Sequence, residues 1–272
     1  MKFSVLMSIY HKEKAEYFNR AMLSIWDEQT IKPDEIVLVQ DGKLTDELYT
    51  VINIWQEKIG VKFKTIPLEI NVGLGDALNI GIKECKYEII ARMDTDDIAY
   101  PYRFEKQINF LKKNPKIDIL SSWVSEFEEA EDNIISTKRL PLIHDDIKVY
   151  AQSRCPINHP AVIYKKSAVE QSGSYLPAMQ EDYYLWIRML NNGCIFANIS
   201  TNLVNMRSGY GLLGRRRGLK YAINEFKLHY YFHKIGFVGF RKFLKNAIIR
   251  FFIRLMPISF IKKFYFIIRE TS

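Results

Sequence analysis

A chain of 272 residues, 48% hydrophobic and 26% charged, carries enough apolar material for one large core or two modest ones, which argues against disorder. Three cysteines, Cys85, Cys155 and Cys194, are odd in number and far apart, so they supply neither a disulfide framework nor a metal cluster and point to a reducing compartment. The net charge of +8 is unevenly spread: residues 212–272 hold 14 Lys or Arg against Glu225 and Glu270, leaving 25 basic and 29 acidic residues before them. The basicity therefore belongs to the tail, and the acidic front half offers no companion groove for nucleic acid.

The apolar run over residues 3–10 ends at His11, too short for a signal peptide or a membrane span, and reads as a strand. Phe18, Ala21, Met22 and Ile25 then recur at helical spacing. Pro33-Asp34 marks a turn, and residues 35–40 read as a strand ending on Asp41-Gly42. Residues 44–58 look helical, 61–66 alternate as a strand, 76–85 look helical and 88–93 form another strand. This alternation predicts an α/β fold with a Rossmann-like, mostly parallel central sheet covered by helices on both faces. A helix over 102–113, a strand over 117–124 and a hairpin or surface loop over 126–141 follow, and then a helix over 183–192 with Leu185, Trp186, Met189 and Leu190 on its apolar face.

In such sheets ligands bind beyond the carboxyl ends of the strands, where Asp41, residues 71–75 and residues 94–97 all fall. Asp94, Asp96 and Asp97 put three carboxylates within four positions, with no Cys or His among them. Hard oxygen donors of this kind suit Mg²⁺ or Mn²⁺ with positions open to phosphate oxygens, and equally suit a helix start, where Asp favours caps. Asn71, Gly73 and Gly75 allow a backbone to approach an anion ahead of a helix, or form an ordinary turn. Gln180-Glu181-Asp182 puts a carboxylate at a helix start, either as a general base or as a cap. The segment 155–160, with His159, reads as a rigid polar loop.

Taken in order, VLMSIYHKE, DG, NVGLGDALNIGI, ARMDTDDIAYPYRFEKQ, INHPAVIYKKS and QEDYYLWIRML resemble the family 2 inverting glycosyltransferases of the GT-A fold, in particular bacterial enzymes of O-antigen and surface-polysaccharide assembly. The resemblance runs from about residue 2 to residue 188. It implies that Ser8, Tyr10 and Glu13 line the nucleotide pocket, that Asp41 meets uracil, and that Asn71 and Gly73 border nucleotide and sugar. Asp94 and Asp96 match the DxD motif, Asp94 toward ribose or sugar and both toward Mn²⁺ or Mg²⁺, with Asp96 the principal ligand. Asp182, in the family's acidic pair, matches the general base, with Glu181 and His159 on the acceptor side. Where many members carry two consecutive acids at the second strand end, this chain has Gln40-Asp41, a departure that bears on base recognition.

The expected reaction moves a hexose, glucose or galactose, from a UDP-sugar to a lipid-diphosphate-linked acceptor such as GlcNAc-diphosphate-undecaprenol, giving a β-linkage. Expected boundaries are a catalytic domain over 1–211, its nucleotide-sugar half about 1–125 and its acceptor half about 126–211, and a basic helical appendage over 212–272. In that appendage Phe240, Phe243, Leu244, Ala247, Ile248, Phe251 and Leu255 recur at helical spacing among arginines and lysines, and Pro257 breaks the run. A basic amphipathic helix of this kind suits an anionic membrane surface, here the cytoplasmic face of the bacterial inner membrane, or packs on the catalytic body. Two other function classes remain in view. A sugar nucleotidyltransferase would carry a glycine-bearing phosphate loop near the first strand, which residues 8–14 lack. A non-catalytic sugar-nucleotide or membrane-binding module would bind the nucleotide without turnover.

Overall fold

The computed structural model describes residues 1–207 and 218–256. Strands β1 (Phe3–Ile9), β2 (Glu35–Gln40), β3 (Phe63–Pro67) and β4 (Ile89–Arg92) pair in parallel in the order β3-β2-β1-β4. Helices α1 (Ala15–Trp26), α2 (Asp46–Ile59) and α3 (Leu74–Glu84) connect them. Side chains alternate across a strand, so each strand feeds two cores. Val5, Met7, Ile36 and Leu38 pack with α1 and α2 through Phe18, Met22, Ile52 and Trp55. Leu6, Val37 and Val39 pack on the other face with Ala77, Leu78 and Ile82 of α3. Because the chain moves outward from β1 to β3 and then crosses to β4 on the other side of β1, the topological switch lies between β1 and β4. Their carboxyl ends open the crevice where such folds bind ligands.

Beyond β4 the sheet becomes mixed. The order continues β4-β8-β6-β9-β5, with β5 (Ile98–Ala99), β6 (Ile119–Phe127), β8 (Ile163–Lys165) and β9 (Phe196–Arg207), while β7 (Ile134–Lys138) pairs with β6 as the expected hairpin. β8 runs antiparallel to both β4 and β6, whereas β6 and β9 are parallel. The parallel expectation thus describes the first four strands and the β6–β9 pair, and the second half departs from it where β8 runs back between β4 and β6. Helices α4 (Arg103–Lys113), α5 (His144–Ala151), α6 (Lys166–Gln171) and α7 (Glu181–Asn191) flank this half.

Two further helices, α8 (Leu219–Lys234) and α9 (Phe240–Leu255), complete the described chain. α8 packs on α7, with Tyr183 and Phe232 rings 4.8 Å apart and Tyr184 and Tyr231 5.1 Å apart. The amphipathic helix expected from residue 240 is α9, which buries Phe243 and Ala247 in the same core cluster as Trp186. Arg250 and Arg254 of α9 both pair with Glu225 of α8, which is buried. Burial alone would favour a neutral Glu225, but hydrogen bonds from Arg254 and the charge of Arg250 hold its carboxyl below the usual range. The run Arg215-Arg216-Arg217 and residues 257–272 lie outside the described residues.

Gly81 lets α3 lie close against the sheet: a Cβ there would stand 2.3 Å from Leu6 Cδ1 and 2.9 Å from Val39 Cγ2. Alanine gains up to about 1 kcal/mol of helix propensity, but overpacking a core costs about 1–3 kcal/mol. Overpacking wins, so Gly81→Ala is expected to lower unfolding stability by about 1 kcal/mol or more, read as a lower urea midpoint at unchanged slope.

Candidate active site

The end of β4 gathers its carboxylates around a buried arginine. Arg92 is inaccessible to solvent, donates to the carbonyls of Leu6 and Met93, and pairs with Asp94, which stays partly open. Asp97 is buried and accepts the backbone N–H of Arg207 at 2.7 Å. The Arg207 guanidinium donates to the Asp96 carbonyl at 3.2 Å and lies 3.8 Å from the Tyr17 ring centroid. Thr95 donates its hydroxyl to Glu13 at 2.6 Å, tying the loop after β1 to the cluster. Ser8 sits half-buried beside Val39 at the end of β1, and Tyr10 is exposed.

Asp96 is compensated more weakly, by a backbone hydrogen bond and the Arg207 charge. Burial first, and then the charges of Asp94 and Glu13, push its pKa up to about 7. Asp97 is raised as well, by burial and by Asp96 and Asp94. Among the described residues no three His, Cys, Asp or Glu gather into a chelating group. Two carboxylates and a local excess of negative charge nevertheless fit a hard divalent cation that takes one or two protein oxygens and fills its shell with phosphate oxygens and water.

The second wall is the loop before α3. Both carboxylate oxygens of Asp41, expected at the uracil base, accept backbone N–H groups, from Val72 at 2.7 Å and from Gly73 at 3.1 Å. Asn71 adds a side-chain bond to the Asp41 carbonyl at 3.1 Å. Asp41 is thus a buried strut that shapes the loop. Gly73, with φ of +91°, then turns the chain into α3, presenting the free N–H groups of a helix start. Gly75 lets the opposite segment come close, since a Cβ there would meet the Leu176 carbonyl at 3.2 Å. Between them lies a cleft of about 290 Å³ lined by Val72, Gly73, Asp76, Leu176, Met179 and Glu181.

The third wall is the start of α7. Glu181 and Asp182 occupy its first turn, and the preceding Gln180 has left-handed backbone with φ of 72°. Burial and then the neighbouring Asp182 charge push Glu181 up to about 7. Asp182 accepts the Cys155 thiol at 3.6 Å, so one of its oxygens is engaged from behind. His159 meets the Tyr175 hydroxyl at 2.9 Å, and its ring lies edge-on to Trp186. Burial, followed by the Arg92 charge, lowers the His159 pKa, which keeps the ring neutral at pH 7. Asn79 of α3 clamps the Tyr175 backbone in both directions, at 2.9 and 2.8 Å.

Glu13 and the Asp94–Asp97 loop thus meet at one edge, through Thr95, the Asp94 charge reaches His159 and Glu181, and Gly73 and Glu181 line opposite sides of the cleft, while Asn71 is held at Asp41. Sequence reasoning gave no role to Arg92, Tyr175, Asn79 or Arg207. A lone arginine inside the apolar stretch before Asp94 is a legible sign of a buried countercharge. The other three carry no local signal, because their hydrogen-bond partners stand 16 or more residues away.

The fold and this site define a GT-A glycosyltransferase. The family model "Glycosyl transferase family 2" matches residues 4–172, and the chain belongs to that family. It is 42% identical over 260 residues, 95% of this chain and 93% of its relative, to the UDP-Gal:alpha-D-GlcNAc-diphosphoundecaprenol beta-1,3-galactosyltransferase of Escherichia coli. It is also 38% identical over 264 residues, 97% of each chain, to the amylovoran biosynthesis glycosyltransferase AmsE of Erwinia amylovora. Among solved structures, S. aureus TarS 1-349 in complex with UDP-GlcNAc superposes with a TM-score of 0.67 at 17% identity, over 93% of this chain and 73% of that one. The mannosyltransferase PcManGT of Pyrobaculum calidifontis, in complex with GDP-Man and Mn²⁺, gives 0.66 at 14% identity, over 90% and 68%.

Removing the Asp41 strut leaves the Val72 and Gly73 N–H groups without their acceptor. Asp41→Ala is expected to raise amide hydrogen exchange at these two residues at least tenfold, roughly the loss of 1.5 kcal/mol of local stability, while protection in β1 stays unchanged. Glu181 supplies a pH test. The folded chain holds its proton up to about pH 7, whereas the unfolded chain releases it near 4.5. Its contribution to stability is therefore complete below the lower value and lost as pH rises through the higher one. Glu181→Gln is expected to raise Tm above the parent's at pH 8 and to leave it nearly unchanged at pH 4, in metal-free buffer.

Proposed function

We propose that the protein transfers galactose from UDP-galactose, with inversion, to GlcNAc carried on a lipid diphosphate, at the cytoplasmic face of the bacterial inner membrane, as one step in building an O-antigen or related polysaccharide repeat. The observation that carries this reading is the 42% identity, across 95% of the chain, to an enzyme whose name specifies that donor, that acceptor and a β-1,3 linkage. Glucose is the second hexose to be tested. Among the described residues no helix is long and apolar enough to cross a membrane, and the protein is proposed to work as a peripheral enzyme.

In this reading Ser8, Tyr10, Glu13, Asn71 and Gly73 border the nucleotide, with Asp41 acting through the loop it holds. Asp94 faces ribose or sugar, and Asp96, with Asp94, holds Mn²⁺ or Mg²⁺. When bound there, the cation offsets the charge of the departing diphosphate. Asp182, steadied from behind by Cys155, takes the proton of the acceptor hydroxyl with its free oxygen as that hydroxyl attacks the anomeric carbon. The new C–O bond forms on the face opposite the diphosphate, whose C–O bond breaks with the electron pair leaving on UDP. One displacement turns an α-linked donor into a β-linked product. Glu181 and neutral His159 line the acceptor side, where their weak charge at neutral pH suits an uncharged sugar hydroxyl.

The test is incubation with radiolabelled UDP-galactose, UDP-glucose and UDP-GlcNAc and a synthetic GlcNAc-diphosphate-lipid, with Mn²⁺, with Mg²⁺ and with EDTA. A galactosylated product released by a β-specific galactosidase is expected, and EDTA is expected to abolish it. Asp182→Asn should lower kcat by about 10²–10⁴ with little change in the KM for donor. Retention of the donor's α configuration, or near-parental turnover by Asp182→Asn, would refute the mechanism.

A further inference from the structure

We propose that α8 and α9 together form a membrane-docking surface for an anionic lipid bilayer, resting on the lipid-linked acceptor proposed above. Leu219, Ile223, Phe226 and Tyr230 are exposed and spaced four, three and four apart, one face of α8. Phe240, Leu244 and Ile248, four apart, are exposed on α9. Ring contacts join the two stripes: Phe226 and Tyr230 lie 5.7 and 6.1 Å from the Phe243 ring, and His233 lies 5.7 Å from Phe240. The result is one apolar face two helices wide rather than scattered surface residues, and such a face marks an interaction site.

Charge selects the occupant. Lys220, Lys227 and Lys234 follow the α8 stripe at seven-residue spacing, and Arg241 and Lys245 adjoin the α9 stripe, all five exposed. Glu225 is the one acid between residues 219 and 256, and it is buried with Arg250 and Arg254. An apolar centre with a cationic rim and no exposed carboxylate fits the interface of an anionic membrane, into which the aromatic and aliphatic groups sink while lysines meet headgroup phosphates. A second copy of the same face would set like charges against each other.

The surface is also fastened to the site. Gln180 donates to the Tyr221 hydroxyl at 2.7 Å, and Asn224 reaches Met179 Sδ at 3.7 Å, so α8 holds the lip of the cleft directly before Glu181 and Asp182. Docking α8 on a bilayer brings the proposed base to the level at which a lipid-borne sugar diphosphate leaves the headgroups.

The experiment is flotation of the full chain with vesicles of phosphatidylglycerol and phosphatidylethanolamine, against vesicles of phosphatidylcholine alone. Parent protein is expected to float with the anionic vesicles at least about tenfold more than with the neutral ones. The triple variant Ile223→Glu, Leu244→Glu, Ile248→Glu is expected to lose that binding by about tenfold or more. Its Tm and its transfer to a short-chain, water-soluble GlcNAc-diphosphate should stay unchanged. A second variant, Lys220→Gln, Lys227→Gln, Lys234→Gln, is expected to lose the preference for anionic lipid. Parental flotation by both variants, no flotation by the parent, or a parental dimer that the triple variant dissociates would overturn the proposal. The soluble-acceptor assay separates the two readings: its failure in the parent counts against the proposed reaction, while flotation still decides the surface.

Discussion

The site depends on how the fold disposes of the negative charge crowded at the end of β4. Two like charges 4 Å apart repel by about 4 kcal/mol at the effective dielectric of a protein edge, so three adjacent carboxylates need individual solutions. Asp94 has Arg92, and Asp97 has the N–H of Arg207 and sits near Arg103. Arg103, itself fully buried and held down to about 9 by desolvation, donates to the Arg92 carbonyl and the Met93 sulfur and so braces the strand end from below. Asp96 and Asp97 nevertheless both stay raised. The partners built into the chain thus leave an excess of negative charge at this strand end, which a bound divalent cation would offset.

A second constraint fixes the distance between that edge and the opposing carboxylate. The clamp of Asn79 on Tyr175 and the close pass of Gly75 under Leu176 fasten α3 to the segment that leads into α7. Both contacts use backbone atoms, so they hold the segment's path and not merely its side chains. Asp182 consequently stands on a helix whose start is tied to the helix that borders the glycine loop. A reaction between two bound substrates requires this, because small errors in the approach of nucleophile to anomeric carbon cost large factors in rate.

Much of the first half was legible in the sequence because each element there has one dominant pattern. The short apolar runs of β1 and β2, buried on both faces, and the i, i+3, i+4, i+7 pattern of Phe18, Ala21, Met22 and Ile25 report burial directly. The acidic triplet and the carboxylate before α7 stood out for the same reason: charge placed against an apolar run. The second half hides its order. β8 is three residues long and β5 two, too short for any period, and β8 reverses direction between two strands it pairs with by tertiary packing alone. α8 is expected from sequence only as part of a helical appendage over 212–272, without bounds of its own, because its buried face mixes Ala222, Glu225 and His229 with Leu228 and Phe232, so burial there does not follow hydrophobicity. Asp41 shows a further limit. An Asp-Gly at a strand end announces a turn, yet its carboxylate serves a loop 31 and 32 residues away, and no local pattern encodes that partner.

The tail shows why composition and structure give different accounts of the same charge. A net of +12 over residues 212–272 suggests a uniformly basic appendage. In the folded chain Arg250 and Arg254 are spent on Glu225, and Lys242 on Gln152 of the segment after α5. These cations act inward, fastening α9 to α8 and to the catalytic body, and contribute little to an external field. Among the described residues, what remains outside is arranged rather than abundant: three lysines in register on α8 and two cations on α9, around an apolar strip. Glu225 is the hinge of this arrangement. Its two arginine partners lie on the same side of α9 as Phe243 and Ala247, which face the core, while Phe240, Leu244 and Ile248 face outward. One buried carboxylate in a basic segment thus anchors, together with Phe243 and Ala247, the side of the amphipathic helix that the protein keeps for itself.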